Sequence, residues 1–175
     1  MSYRPLQIKS IQRGTITLTS VASNTATITS VTTANAYVAY IGHRDSDTVG
    51  NNADNWTRLD LTNATTVTAT RAGTTGTVIV SFEVIEYYTG RLRSLQTVSI
   101  SITNGNTSNT ATLGTTLQST AKAIIIWAGN SSSPTAIAPD SGWVNLVLTN
   151  TTTVTATRTG SAGTVVVNAT VVEFR

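Results

Sequence analysis

The feature that most constrains this chain is that it repeats itself at one offset. Shifted by 87, residues 33–42 (Thr-Ala-Asn-Ala-Tyr-Val-Ala-Tyr-Ile-Gly) fall on 120–129 (Thr-Ala-Lys-Ala-Ile-Ile-Ile-Trp-Ala-Gly), residues 56–71 on 143–158, and residues 76–86 on 163–173, without a gap. About 25 of the 56 positions from 33 to 88 are identical, more than shared low-complexity composition supplies. The earlier part aligns with small gaps, Ser10, Ile11 and Gln12 on Ser94, Leu95 and Gln96, and Ile16 and Leu18 on Ile100 and Ile102. The repeat therefore divides the chain into a first copy at 10–88, a linker at 89–93 and a second copy at 94–175. Residues 1–13 read as an N-terminal docking arm. The linker is too short to let the copies drift far apart. Each unit must fold within about 80 residues, a size at which a core is marginal alone, so the copies are expected to pack side by side.

Within each copy the apolar residues recur with period two, the spacing of a strand with one buried face. Residues 14–19 alternate with Ile16 and Leu18 on one face, and residues 25–29 with Ala26 and Ile28. Residues 36–41 are continuously apolar, as in a strand buried on both faces. Residues 58–62 and 66–70 alternate across a turn at 62–65 and read as a hairpin. Residues 77–87 form a long closing strand with Val78, Val80, Phe82 and Val84 on one face. Polar and glycine clusters at 20–24, 50–54 and 72–76 punctuate the strands, and no stretch carries helical period with caps. The reading is an all-β protein: two tandem homologous antiparallel β-sandwich domains of about six strands each.

Composition agrees and excludes several function classes. Threonine makes up roughly a fifth of the chain, and Thr and Val favour strands over helix. With no Cys there is no disulfide framework, thiolate metal site or cysteine nucleophile. No apolar run approaches the ~18 residues of a membrane-spanning helix, and the first residues lack the apolar stretch of a signal peptide. Only 11% of residues are charged, with a net charge of +3, and the cations are scattered rather than gathered on one face, so neither nucleic acid nor membrane is an expected partner. Two local groups stand out, Arg4, Lys9 and Arg13 near the N-terminus and Arg91 and Arg93 between the copies. An acidic protein surface is the partner they suit. Exposed faces of Thr, Ser and Asn, in place of the charged residues that usually guard sheet edges, also suit a surface lying against other protein.

The search for chemistry yields few candidates. The single His43 is followed by Asp45, Asp47 and Asp54, oxygen and imidazole donors of the type a divalent cation takes. The second copy places Asn130, Ser132, Pro134 and Ser141 there, and the spacing fits no calcium-loop pattern, so no metal or cofactor is expected. The same loop is the most divergent part of the repeat and serves instead as a candidate ligand loop. Trp56 and Trp143 occupy one repeat position. The expected role is to cover the sandwich end, with stacking on a sugar ring the alternative; Trp127 reads as core. Of the acids Asp45, Asp47, Asp54, Asp60, Glu83, Glu86, Asp140 and Glu173, only Glu86 and Glu173 recur. With the recurring Arg71 and Arg158 they suggest structural ion pairs Arg71–Glu86 and Arg158–Glu173. No catalytic pair, nucleophile elbow or phosphate loop is present.

The opening residues 8–17, the Thr-Asn-x-Thr-Thr-Val-Thr-Ala-Thr-Arg block and the closing Val-rich strand ending in Glu-Tyr or Glu-Phe resemble small β-sandwich proteins of tailed bacteriophage particles. The resemblance covers nearly the whole chain, once per copy, and departs at 96–99, where Gln-Thr-Val-Ser replaces Gln-Arg-Gly-Thr. It implies a non-enzymatic virion component, made in the host bacterial cytoplasm and placed on the outer surface of the particle. The expected role is a capsid decoration (cement) protein that binds the major capsid protein across capsomers, with a homotrimer the favoured oligomer. A tail or fibre module that binds host glycan through the 43–55 and 130–142 loops is the alternative. A weaker similarity to H-type lectin domains carries no residue-level sugar site.

Overall fold

The computed structural model describes residues 7–46, 52–133 and 139–175, and the fold is all-β. The first half holds six strands: β1 (Ile8–Thr19), β2 (Ser23–Thr27), β3 (Ala36–Asp45), β4 (Arg58–Asn63), β5 (Thr66–Thr70) and β6 (Thr77–Tyr87). The second repeats them as β7 (Leu92–Ile102), β8 (Ser108–Thr112), β9 (Ala123–Ser132), β10 (Asn145–Asn150), β11 (Thr153–Thr157) and β12 (Val165–Phe174). In each half a long antiparallel sheet, β1-β6-β3 or β7-β12-β9, faces a short one, β2-β5-β4 or β8-β11-β10. Single helical turns, α1 (Asn52–Asn55) and α2 (Pro139–Gly142), interrupt the longest connections. Sequence periodicity misses them because one turn is too short to show an apolar stripe. Among the described residues no helix is long and apolar enough to cross a membrane.

Alternation places the cores. Ile16, Leu18, Val38, Val80, Phe82 and Val84 of the first long sheet meet Leu59, Val67 and Ala69 of the short one. Ile100, Ile102, Val167, Ala169 and Val171 meet Val154 and Ala156 in the second half. Trp127, read as core, is only partly buried, at the rim of this second cluster.

Two boundaries differ from the sequence reading. Residues 8–13 are not an arm: β1 pairs with β6 from Ile8↔Tyr87 to Thr19↔Thr77, and a backbone with period-two burial and a partner strand has no reason to leave the sheet. The residues before Gln7, Arg4 among them, lie outside the described residues. Residues 88–91 form a tight turn, with the Arg91 amide donating to the Tyr88 carbonyl (3.2 Å), and β7 begins at Leu92, inside the stretch read as a linker. Leu92 is buried there in a third apolar cluster with Tyr37, Ile85, Tyr87 and Val172, which cements the halves.

The halves also share a sheet. Strand β4 meets β9 through the antiparallel pair Arg58↔Gly129, giving the six-strand order β2-β5-β4-β9-β12-β7. Around this seam Asn168 Nδ2 donates to the Leu59 carbonyl (3.2 Å) and to Asp60 Oδ1 (2.8 Å), and Arg58 Nη1 donates to Ser131 Oγ (3.2 Å). Ala128 of β9 is drawn into the first half's core.

Candidate functional site

A concavity lies where the halves meet, and repeat-equivalent residues build it. Strand β3 brings Tyr40, Ile41, Gly42 and His43 to its rim; β9 brings Trp127 and Asn130; the residues just ahead of β4 and β10 bring Trp56, Thr57 and Trp143. The volume is about 430 Å³. Tyr40 and Trp127, equivalent under the repeat, have ring centroids 4.8 Å apart and tilted by 57°. Trp56 and Trp143, also equivalent, stand 5.1 Å apart and tilted by 54°. Such tilted pairs suit the ring quadrupoles better than a face-to-face sandwich. Trp56 is half-buried and lies across Gly142, where an added Cβ would come within 2.3 Å of the indole ring. Trp143 remains 65% exposed, so one indole face is open to a ligand.

The polar rim is uncharged at neutral pH. Thr57 Oγ1 donates to the Tyr40 hydroxyl (3.4 Å), and the same hydroxyl is hydrogen-bonded to His43 Nδ1. Burial raises the Tyr40 pKa, with the Thr57 bond opposing more weakly. Burial lowers the His43 pKa, against a smaller opposite pull from Asp45, so the ring is neutral at pH 7. Asn130 Nδ2 donates to the Gly142 carbonyl (3.0 Å). Open aromatic faces with neutral amide, hydroxyl and imidazole groups fit a ligand that has an apolar ring face and hydroxyl edges.

Of the residues singled out in the sequence, His43, Trp56 and Trp143 meet in this pocket, and the acids do not join them. Asp45 ends β3, and Asp47 lies outside the described residues. Asp54 is buried in α1, with Oδ1 accepting the Thr75 amide (2.8 Å). Among the described residues no three His, Asp or Glu stand together as metal ligands would. Tyr40, Thr57 and Trp127 are not among the expected site residues, and Asn130 enters there only as the first residue of the 130–142 loop. The signal for them is the repeat itself, since Tyr40 and Trp127 share one position and His43 and Asn130 another.

The recurring charged residues form a different pattern from the expected one. Arg71 and Arg158 do not pair with Glu86 and Glu173. The arginines follow β5 and β11 and sit at the starts of β6 and β12, whereas the glutamates lie near the ends of those strands. Some ten residues at ~3.3 Å each separate these positions. Arg71 is instead buried and donates to the carbonyls of Val21, Asp54, Thr75 and Gly76. Arg158 does the same with six carbonyls in the second half, from Thr103 to Gly163. Glu86 pairs with Lys9 Nζ (2.9 Å) and Glu173 with Arg93 Nε (3.4 Å). Lys9 and Arg93 are themselves equivalent once Ser10 is aligned on Ser94; the gap between that alignment and the offset of 87 hides them. Arg13 pairs with Glu83 (2.5 Å), and Arg91 is half-buried in the turn before β7. Lys9, Arg13 and Arg93 thus hold carboxylates of their own chain.

Comparison of the chain with family models, with curated proteins and with solved structures finds no match in any of the three.

Proposed function

We propose that this chain is a non-enzymatic structural protein of a bacteriophage particle, a decoration protein that sits on the outside of the head and adds buried area across capsomers. The observation that carries the reading is how the ionisable groups are used. Asp54, Arg71, Glu86, Arg158 and Glu173 are buried and committed to loop backbones or ion pairs, while the open surfaces are threonine-rich and apolar. That distribution suits contact rather than proton transfer. Many weak contacts repeated by symmetry give a large total stabilisation. Purified heads lacking the protein are expected to bind it on co-sedimentation and to gain heat resistance. Deleting residues 1–6, which removes Arg4 but leaves β1 whole, is expected to weaken attachment without unfolding the chain. Heads that neither bind the protein nor gain resistance would sink the proposal.

The aromatic pocket favours a second reading, a tail or fibre module that binds host glycan. A sugar ring stacked on Trp143, with its hydroxyls on His43 and Asn130, matches the pocket's size and neutrality. A glycan array reads this directly. Binding that is lost in both Trp56→Ala and Trp143→Ala supports it, and an array without signal removes it.

A further inference from the structure

The seam that joins the halves uses one surface from each, and the repeat supplies both surfaces twice. Inside the chain the edge strand β4 of the first half lies on the end of β9 and the outer face of β12 in the second. Residues 128–132 are all buried there, and Leu59 of β4 is 1% exposed. Contact is close enough that Gly129, at φ +88°, could carry no side chain: an added Cβ would lie 2.3 Å from the Thr57 carbonyl oxygen and 3.0 Å from the Arg58 Cα.

The same two surfaces occur once more, uncovered. The counterpart of the receiving face is the end of β3 and the outer face of β6. Here Ile41, in the position of Ala128, is 57% exposed, and an added Cβ on Gly42, in the position of Gly129, would meet nothing within 4 Å. A groove of about 480 Å³ runs beside Gly42, with Thr15, Ile79 and Ser81 in its wall. The counterpart of the docking edge is β10, where Asn145 is exposed and Val147, in the position of Asp60, is 47% exposed.

The substitutions between the two versions match one another. Inside the chain Asn168 grips the Leu59 carbonyl and Asp60. In the uncovered version Ser81 replaces Asn168 and keeps a hydroxyl for the Leu146 carbonyl, while Val147 replaces Asp60 and Ile41 replaces Ala128. The edge exchanges a carboxylate for an aliphatic side chain, and the face exchanges a long amide for a short hydroxyl and a methyl group for a larger aliphatic side chain. Two large apolar side chains left in water on matched surfaces are what a second seam would cover.

We infer that copies of this chain associate head to tail through this seam, β10 of one chain lying on the β3–β6 face of the next as β4 lies on β9 and β12 within it. The contact is heterologous, so its repetition closes a ring or extends a filament. A ring of three chains would hold six modules. The seam would cover Ile41 and Gly42 on the rim of the aromatic pocket and bring Trp143 in with β10, so it competes with the glycan reading and is independent of the capsid reading.

The test is the mass in solution by light scattering coupled to size exclusion. The wild-type chain at about 100 µM is expected to run as an oligomer, since an interface of this kind holds at such concentrations. Ile41→Arg blocks only the face and Val147→Arg only the edge. Each variant alone is expected to run as a monomer of 18.3 kDa. Mixed, they retain one intact face and one intact edge and are expected to form a 1:1 dimer that grows no further. Both positions are exposed strand positions, so the fold tolerates the change; Ile41→Thr and Val147→Thr serve if an arginine variant fails to fold. A monomeric wild type, an assembly that survives either variant, or a mixture that stays monomeric would overturn the inference.

Discussion

Replacing Arg158 by Met tests the most heavily bonded side chain in the second half. The guanidinium is buried behind the strand ends and reaches the carbonyls of Thr103, Asn106, Ser141, Ser161, Ala162 and Gly163 at 2.7–3.2 Å. No carboxylate is among these acceptors, so carbonyl dipoles balance the charge. Burial lowers its pKa, yet a guanidinium remains protonated in any ordinary buffer. Methionine fills a similar volume and donates nothing. A hydrogen bond from a charged donor is worth about 1.5–3 kcal/mol, and a carbonyl left buried without a partner costs about 1 kcal/mol or more. Five N–H groups would then sum to more than a marginally stable fold possesses. The loops at 103–107 and 159–163 can open to water, which limits the loss to about 4 kcal/mol. For a chain of this size that is a fall of about 10 °C in Tm. Urea unfolding followed by tryptophan fluorescence measures it. Arg158→Lys keeps the charge but offers three donors from one point, so about half the loss is expected to remain. A Met variant within about 1 kcal/mol of wild type, or a Lys variant equal to it, would refute the view that the planar fork organises these loops.

Two further predictions concern other parts of the fold. Burial pushes the Glu86 pKa up, but the Thr32 amide, the Lys9 ammonium and the Ser10 hydroxyl outweigh it and hold the carboxyl below its ordinary 4.5. The unfolded chain therefore binds more protons in that window. Glu86 stabilises the fold fully above about pH 4.5 and loses its contribution as pH falls through the folded pKa. Glu86→Gln is expected to cost about 2 kcal/mol at pH 7 and to flatten the acid limb of stability against pH; an unchanged limb would count against this. Gly129→Ala is expected to cost about 3 kcal/mol in urea unfolding, because the methyl group meets the Thr57 carbonyl oxygen and the Arg58 Cα as well as the Tyr40 ring, at a φ of +88°. Gly114→Ala, whose added Cβ finds nothing nearer than Gln96 Oε1 at 3.8 Å, should stay within about 0.5 kcal/mol. Equal effects at the two glycines would show that the seam does not set the cost.

Alternation in one dimension was enough to identify the strands and their inward faces. Val67 and Ala69 on one side of β5, or Val78 to Val84 along β6, declare themselves because a strand has only two faces. The hairpin at 62–65 was legible for the same reason. The charged residues were not, because a recurring Arg and a recurring Glu say nothing about which end of an eleven-residue strand each occupies. The equivalence of Lys9 and Arg93 is hidden because a three-residue gap moves them off the main repeat offset. The pocket was half legible. Trp56, Trp143 and His43 stand out as rare residue types, but Tyr40 and Trp127 look like ordinary core until the two halves are set against each other. Which faces of two similar modules meet depends on shape matching across the seam, and no local pattern encodes it.

The seam has a consequence for the history of the repeat. Two modules that began alike now stand in different surroundings: Ala128, beside the place where β4 crosses β9, is 1% exposed, while Ile41 at the matching place is 57% exposed. The partners across each seam have changed as sets, Asp60 with Asn168 on one and Val147 with Ser81 and Ile41 on the other. Exchanging a single side chain between the modules would break a set, so each module's surface is now tied to the neighbour it meets.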